Sequence, residues 1–149
     1  MTINLFPSDR ALPVAALAFD YGTQRIGVAF GQSISATAKA VAVLKAKDGV
    51  PNWDQVGGLL DEWKPDCCVI GLPYNLDGSD SELLTRAIKF ANRLTDRFQI
   101  ICYGMDERLS SKAAIEQIME NEKNKKITSI DDIAAQIILE SWFNEYNLR

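Results

Sequence analysis

Hydrophobic positions fall first into short continuous runs, the pattern of strands buried in a sheet. Residues 14–21 are apolar almost to their end, which is typical of a central strand covered on both faces. Residues 25–31 predict a second strand, joined to the first by a short hairpin, and 36–44 predict a third at the edge of the sheet. Residues 67–73 and 98–105 predict two more buried strands.

Between and after these later strands, the apolar residues recur at the spacing of an α-helix. Helices are predicted over 53–63, 81–97, 110–122 and 129–146, with a polar loop at 121–128. Crossover helices join parallel strands, whereas the hairpin between the first two strands is antiparallel. The pattern therefore predicts an α/β domain built on one mixed sheet.

Length and composition agree with one soluble domain. The chain has 149 residues, of which 47% are hydrophobic and 24% charged, enough for a core and an ordinary surface. Residues 1–13 contain two prolines and no clear periodicity, so we expect an irregular arm before a single domain over 14–149. No stretch has the pattern of a membrane span or a signal peptide. We expect a cytoplasmic protein without a membrane partner, of undetermined oligomeric state.

The complete absence of histidine excludes several kinds of hydrolytic site. Ser-His-Asp and Cys-His catalysis and the HExxH zinc motif all need it. Cys67, Cys68 and Cys102 lack the spacing of a zinc site, and each lies in an apolar run, so we expect buried free thiols. Hydrolysis would then depend on carboxylates, a lysine, a tyrosine or a metal. A site of oxygen ligands alone favours Mg²⁺ or Mn²⁺ over zinc.

Three widely separated carboxylates occupy positions where such a sheet would expose them. Asp20 ends the first strand, Glu107 follows the last one, and Asp131 lies in the first turn of the final helix. In open α/β sheets, ligands bind beyond the carboxyl ends of the strands. Clustered carboxylates repel one another unless cations lie between them, and two divalent ions would serve phosphodiester hydrolysis.

Each of these acids also has a structural interpretation. A carboxylate before a glycine, as at Asp20, often forms a turn, and Asp106 with Arg108 could be a surface ion pair. Asp132 has the capping-box spacing from Ser129. These residues alone suggest a site without deciding it, and the choice between Asp131 and Asp132 stays open.

Four motifs in a fixed order make the chain similar to a known family. They are DYGTQRIGVA at 20–29, GLPYNLDGS at 71–79, DERLSS at 106–111 and DDIAAQIILE at 131–140. Together they resemble the YqgF (RuvX) family of Holliday junction resolvases and pre-16S rRNA nucleases, over about 17–143.

The resemblance implies a ribonuclease H-like fold, with a mixed five-stranded sheet in which three antiparallel strands precede the parallel ones. It implies a nuclease that matures the 5′ end of pre-16S rRNA, with ribosomal assembly intermediates as partners. Cleavage of four-way DNA is the alternative. By motif, Asp20, Glu107 and Asp131 would be the catalytic and metal-binding carboxylates for Mg²⁺ or Mn²⁺, and residues 71–79 would line the cleft.

The net charge of −4 and pI near 4.8 argue against strong non-specific binding of nucleic acid. Binding requires only a local basic surface, however, and several cations lie beside the site motifs or in the loop before the last helix. The predicted nucleic-acid contacts are Arg25, Arg108, Lys112, Lys123, Lys125 and Lys126.

Two other classes of protein remain possible on the sequence. The Asp20-Tyr-Gly-Thr turn resembles the phosphate-contacting turn of actin-like nucleotide-binding domains, although those proteins close two such domains around the nucleotide. A non-catalytic RNA-binding assembly factor could keep the fold without the chemistry. A Rossmann dehydrogenase is less compatible, because no GxGxxG motif opens the first helix.

Overall fold

The computed structural model describes residues 3–8, 13–109 and 130–148, and one sheet with three helices accounts for most of them. The strands are β1 (Ala15–Asp20), β2 (Arg25–Gln32), β3 (Thr37–Lys47), β4 (Val50–Pro51), β5 (Cys67–Leu72) and β6 (Cys102–Asp106). The helices are α1 (Trp53–Trp63), α2 (Glu82–Phe98) and α3 (Ile130–Leu148), and a 3-10 turn covers Glu107–Leu109. The helix and loop predicted over 110–128 lie outside the described residues. None of the helices in the described part of the chain is long and apolar enough to cross a membrane.

The strands form a mixed sheet in the order β4-β3-β2-β1-β5-β6. Each of the first four strands pairs antiparallel with the next one along the chain. On the other side of β1, β5 pairs parallel with β1, and β6 pairs parallel with β5. The predicted change from antiparallel to parallel pairing is confirmed. Residues on both faces of β1 are fully buried, and the apolar run of this strand reflects that position.

The described sheet has six strands rather than the predicted five, because an Asp-Gly turn adds β4. Asp48 and Gly49 both have positive φ, at 50° and 81°. Two such residues between paired strands form the tight hairpin turn that Asp-Gly sequences favour. Lys47 therefore pairs with Val50, and β3 extends to Lys47 instead of ending at residue 44.

The last strand, β6, begins at Cys102, four residues later than predicted. Phe98 was predicted to begin it, but Phe98 ends α2 and its ring packs near that of Trp53. Gln99 adopts the left-handed conformation, and its N–H closes the helix on the Thr95 carbonyl. The strand begins only at Cys102, because this helix cap must finish before the chain can turn into the sheet.

Helices cover the two faces of the sheet, and each face has its own core. Phe19 on β1 belongs to the core under α1 and α2, whereas Ala18 belongs to the core under α3, where Trp142 is fully buried. Successive residues of a strand point to opposite faces. Cys67, Cys68 and Cys102 are buried free thiols, as predicted.

The direction of α3 follows from contacts along its length. Near its C-terminal end, the Asn147 amide donates a hydrogen bond to the Ser33 carbonyl, and Ser33 is itself bonded to Val14, just before β1. Further back, Ile138 lies against Gly71, close to the carboxyl end of β5. The helix thus runs opposite to β1, and its first turn lies towards the carboxyl edge of the parallel strands.

Candidate metal centre

Asp20 and Glu107 reach the same face of the sheet because of strand periodicity. On β1, Ala16 and Ala18 face α3, so Asp20 continues that row. On β6, Tyr103 and Met105 face α3, and Glu107 continues theirs directly after the strand. Both carboxyl groups therefore lie at the carboxyl edge of the sheet, on the face that α3 covers.

The two carboxyl groups are in contact, which is unfavourable when both are charged. Burial raises the pKa of Glu107 to about 8, and the negative charge of Asp20, a hydrogen bond to Asp20 and the charge of Asp106 add to the rise. The hydrogen bond to Asp20 raises the pKa because it stabilises the protonated form of Glu107, whose hydroxyl donates to the Asp20 carboxylate. A paired carboxyl site of this kind gains from a cation, because the cation removes the repulsion that otherwise holds the proton.

Gly71 on β5 makes this contact possible. In the sheet, β5 lies between β1 and β6. Extending the β1–β5 register by one residue places Asp20 beside Gly71, and on the other side Gly71 pairs with Met105 of β6. A Cβ atom at Gly71 would lie 2.8 Å from Glu107 Oε1 and 2.7 Å from Ile138 Cδ1. The absent side chain leaves the space in which two carboxylates from non-adjacent strands meet. Gly71 opens the motif GLPYNLDGS, but the motif alone does not predict this role.

We expect Gly71→Ala to reduce metal-dependent cleavage by about 100-fold, because the added methyl displaces the Glu107 carboxylate. Its overpacking should also cost about 1–3 kcal/mol of stability. Cleavage rate and thermal unfolding are the measurements.

Gly104→Ala is the matched control, since its Cβ would collide with Leu72 Cδ1 at 2.5 Å on the other face of the sheet. It should lose comparable stability and keep its cleavage rate. Adding Ile138→Val to Gly71→Ala should restore stability without activity. Full recovery of activity in that double variant would contradict the role given to Gly71.

Asp106, beside Glu107 in sequence, points away from this pair and is neutralised locally. Its carboxylate accepts hydrogen bonds from the Arg108 side chain, with Nη2 to Oδ2 at 2.6 Å, and from the Arg108 backbone N–H. These bonds hold the pKa of Asp106 below its usual value, although partial burial opposes them. The alternative of an ion pair is therefore correct for Asp106, whereas Glu107 faces Asp20.

The loop that the resemblance assigned to the cleft lies beside these residues. The Arg108 guanidinium lies 5.1 Å from the ring centroid of Tyr74, and Gly78 approaches the same guanidinium. The loop is closed on itself, since the Asp77 carboxylate accepts from both the backbone N–H and the hydroxyl of Ser79. Residues 71–79 and 106–108 thus form one continuous rim next to the carboxyl pair.

Of the other predicted site residues, the structure describes the side chain of Arg25 but not that of Asp131 or of the four lysines. Arg25 is exposed at the start of β2, next to the end of β1. Asp131 lies in the first turn of α3, and its side chain, like that of Asp132, is outside what the structure describes. Also outside the described residues are Lys112, Lys123, Lys125 and Lys126.

The donor set present fits a hard divalent cation. Over 3–8, 13–109 and 130–148, the described side chains include no group of three or more potential metal ligands. Two of the three predicted ligands, Asp20 and Glu107, are nevertheless in contact, and both supply oxygen. Such ligands suit Mg²⁺ or Mn²⁺, and a cation beside the pair would offset the charge of Asp20 that contributes to the raised pKa of Glu107.

Two solved structures share this fold, which is of the ribonuclease H-like class. Thermus thermophilus RuvC superposes with a TM-score of 0.56 at 11% identity, covering 89% of this chain and 96% of that one. The fowlpox virus Holliday junction resolvase gives 0.53 at 19%, covering 88% and 99%. At these identities the likeness establishes the fold.

The family is established by sequence. A protein-family model described as "RuvX: Holliday junction resolvase" matches residues 14–145, and the chain therefore belongs to the RuvX family. A relative in Haemophilus influenzae (strain PittGG), named "Putative pre-16S rRNA nuclease", is 49% identical, covering 87% of this chain and 95% of its own length. One of the same name in Photobacterium profundum is 50% identical, covering 87% and 93%.

Proposed function

We propose that this protein is a metal-dependent nuclease that hydrolyses a phosphodiester bond during maturation of the 5′ end of pre-16S rRNA. The observation that carries the proposal is the contact between Asp20 and Glu107 across Gly71, at the edge of the sheet where ligands bind in α/β folds. Membership of the RuvX family and the name shared by close relatives support the reaction and the substrate. The site belongs to a single nuclease domain over 14–149, acting in the cytoplasm.

Asp20, Glu107 and Asp131 would hold the metal, as Mg²⁺ or Mn²⁺, and two ions suit the reaction. When bound, the ions supply a nucleophilic water at neutral pH and stabilise charge on the leaving oxygen. The chain itself supplies the oxygen ligands, the space over Gly71 and the rim formed by Tyr74 and Arg108.

The course of α3 supports Asp131 as the third ligand. Ile138 lies against Gly71, beside the Glu107 carboxylate. Asp131 precedes Ile138 by two helical turns, about 10 Å along the axis and on the same face of the helix. In that direction the helix runs towards the carboxyl edge, so its first turn lies at that edge and on the face of the sheet that carries the carboxyl pair. Asp132 lies about 100° further round the helix, which favours Asp131.

Nucleic acid is the proposed partner, in the form of the rRNA precursor on ribosomal assembly intermediates. We assign Arg25 and Arg108 to contacts with its phosphates beside the carboxyl pair. Lys112, Lys123, Lys125 and Lys126 would add contacts from the segment before α3. A second candidate substrate is four-way DNA, which the description of the family and the resolvase fold both favour.

Metal removal tests the proposed reaction. The purified protein is incubated with 5′-extended pre-16S rRNA or a four-way DNA junction, with Mg²⁺, Mn²⁺ or excess EDTA. We expect cleavage of the rRNA precursor at its 5′ extension with either ion and none with EDTA. Cleavage of the junction alone would select the second substrate.

Chelator-resistant cleavage, or RNA binding without cleavage, would contradict the proposal. The second result would favour a non-catalytic assembly factor. Thermal stabilisation by Mg·ATP without any response to RNA would instead favour an actin-like nucleotide-binding domain.

A further inference from the structure

Lys45 and Lys47 on β3 lie on the same face of the sheet as the carboxyl pair. Leu44 and Ala46 pack into the core under α1 and α2, so the lysines between and after them face the other way, towards the side of α3. Both lysines lie beyond residue 44, the predicted end of the strand, and neither is among the predicted nucleic-acid contacts.

This end of the β2–β3 hairpin is left uncovered by α3. Phe143 lies close to Gly31 and Ala38, which are at the opposite end of the hairpin. Val43, on the same face as the two lysines, remains 42% exposed. Lys45 and Lys47 are themselves exposed, and neither forms an ion pair with any residue that the structure describes.

The pairing of the strands brings a third cation into the group. Arg25 on β2 pairs directly with Lys45 on β3. Ile26, next to Arg25, packs into the core under α1 and α2, so Arg25 faces the same side of the sheet as Lys45. The nearest carboxylate along the chain, Asp48, is bonded to Arg86 at 3.1 Å. Its charge is therefore engaged elsewhere.

The group is continuous with the candidate metal centre. Asp20 pairs with Gly27, and Gly27 pairs with Val43, so one row of the sheet leads from the carboxyl pair to β3. With strands about 4.8 Å apart and residues about 3.4 Å apart, the Cα atoms of Lys45 and Lys47 lie roughly 12 and 17 Å from that of Asp20. Nucleotides in a duplex strand rise about 3.4 Å each, so a strand crossing this distance presents several phosphates.

We propose that Arg25, Lys45 and Lys47 form a binding surface for the phosphodiester backbone of the substrate strand where it leaves the metal centre. The inference rests on the proposed nuclease function and adds the path of its substrate. It also accounts for the binding of a polyanion by an acidic protein: three cations lie together near the site, whereas the net charge of −4 is a property of the whole chain.

The test compares Lys45→Gln/Lys47→Gln with the matched variant Lys64→Gln/Lys89→Gln. Lys64 caps α1 and Lys89 lies on α2, both exposed and away from this surface. Binding of a fluorescein-labelled single-stranded RNA is measured by anisotropy without divalent ions, from about 50 to 200 mM salt. Losing two phosphate contacts should make the slope of log K against log salt shallower by about 1.4, and weaken affinity about 25-fold at about 0.1 M salt. The matched variant should retain the wild-type slope.

Equal slopes for wild type and Lys45→Gln/Lys47→Gln would overturn the inference, as would an equal loss in the matched variant. Binding of an acidic peptide in preference to RNA at this surface would also overturn it. Cleavage assayed in parallel separates the two proposals. If the lysine variant binds RNA as wild type does and still cleaves it with metal, only the proposed surface is rejected. If wild type binds RNA through these lysines but does not cleave it, the proposed nuclease function is rejected.

Discussion

Replacing Asp20 by asparagine is expected to lower metal-dependent cleavage of the rRNA precursor by about 1,000-fold or more. Asp20 is one of two carboxylates in contact at the carboxyl edge, and its charge is half of what the described pair offers a cation. Losing a ligand that positions a catalytic ion costs several kcal/mol of transition-state stabilisation, and each 1.36 kcal/mol is tenfold in rate. The measurement is the single-turnover cleavage rate at saturating Mg²⁺.

Asp61→Asn is the matched control, because Asp61 is exposed on α1, on the opposite face of the sheet. It makes the same chemical change and should keep the wild-type rate. Thermal unfolding should show that Asp20→Asn is still folded. A rate within threefold of wild type for a folded Asp20→Asn would exclude a ligand role for this carboxylate.

Glu107→Gln should make the metal-free protein more stable than wild type at pH 8, and the difference should vanish near pH 4. Burial and the charge of Asp20 raise the pKa of Glu107 from 4.5 to about 8, so the folded state holds a proton that the unfolded chain releases. Wild-type stability is then fully present below pH 4.5 and is lost as the pH rises towards 8. The slope can reach about 1.4 kcal/mol per pH unit.

The measurement is the unfolding free energy in excess EDTA from pH 4 to 9, for wild type, Glu107→Gln and the exposed control Glu62→Gln. Glu62→Gln should follow the wild-type curve. Adding Mg²⁺ should flatten the wild-type curve, because the cation replaces the proton. Parallel curves for wild type and Glu107→Gln in EDTA would mean that Glu107 is not held in the protonated form.

The strands and helices were predictable where burial dictates periodicity. The apolar run of β1 and the helical repeat of α2 each reflect packing against the sheet, and both lie within a few residues of their predicted bounds. The additional strand, β4, was not predicted, although the turn that forms it has a signal in the sequence. Asp48-Gly49 is a strong hairpin signal, but the flanking Lys47 and Val50 lack the apolar alternation that identifies longer strands.

The candidate site was predictable only in part. The rule that strand ends carry ligands was sufficient to select Asp20 and Glu107, and the structure brings those two together. That rule cannot reveal that Gly71 lies between the two acids on the intervening strand, because strand order is a property of the whole sheet. Counting alternate residues back from each acid would have shown that Asp20 and Glu107 share a face, once β5 was known to lie between β1 and β6.

The most direct test of the account is a Mn²⁺ titration, followed by electron paramagnetic resonance, of wild type, Asp20→Asn, Glu107→Gln and the double variant. If both carboxylates hold the same ion, each single change should weaken binding strongly, and the double change should weaken it by much less than the product of the two. Wild-type affinity in either single variant, or independent and multiplicative losses, would contradict a metal centre shared by Asp20 and Glu107.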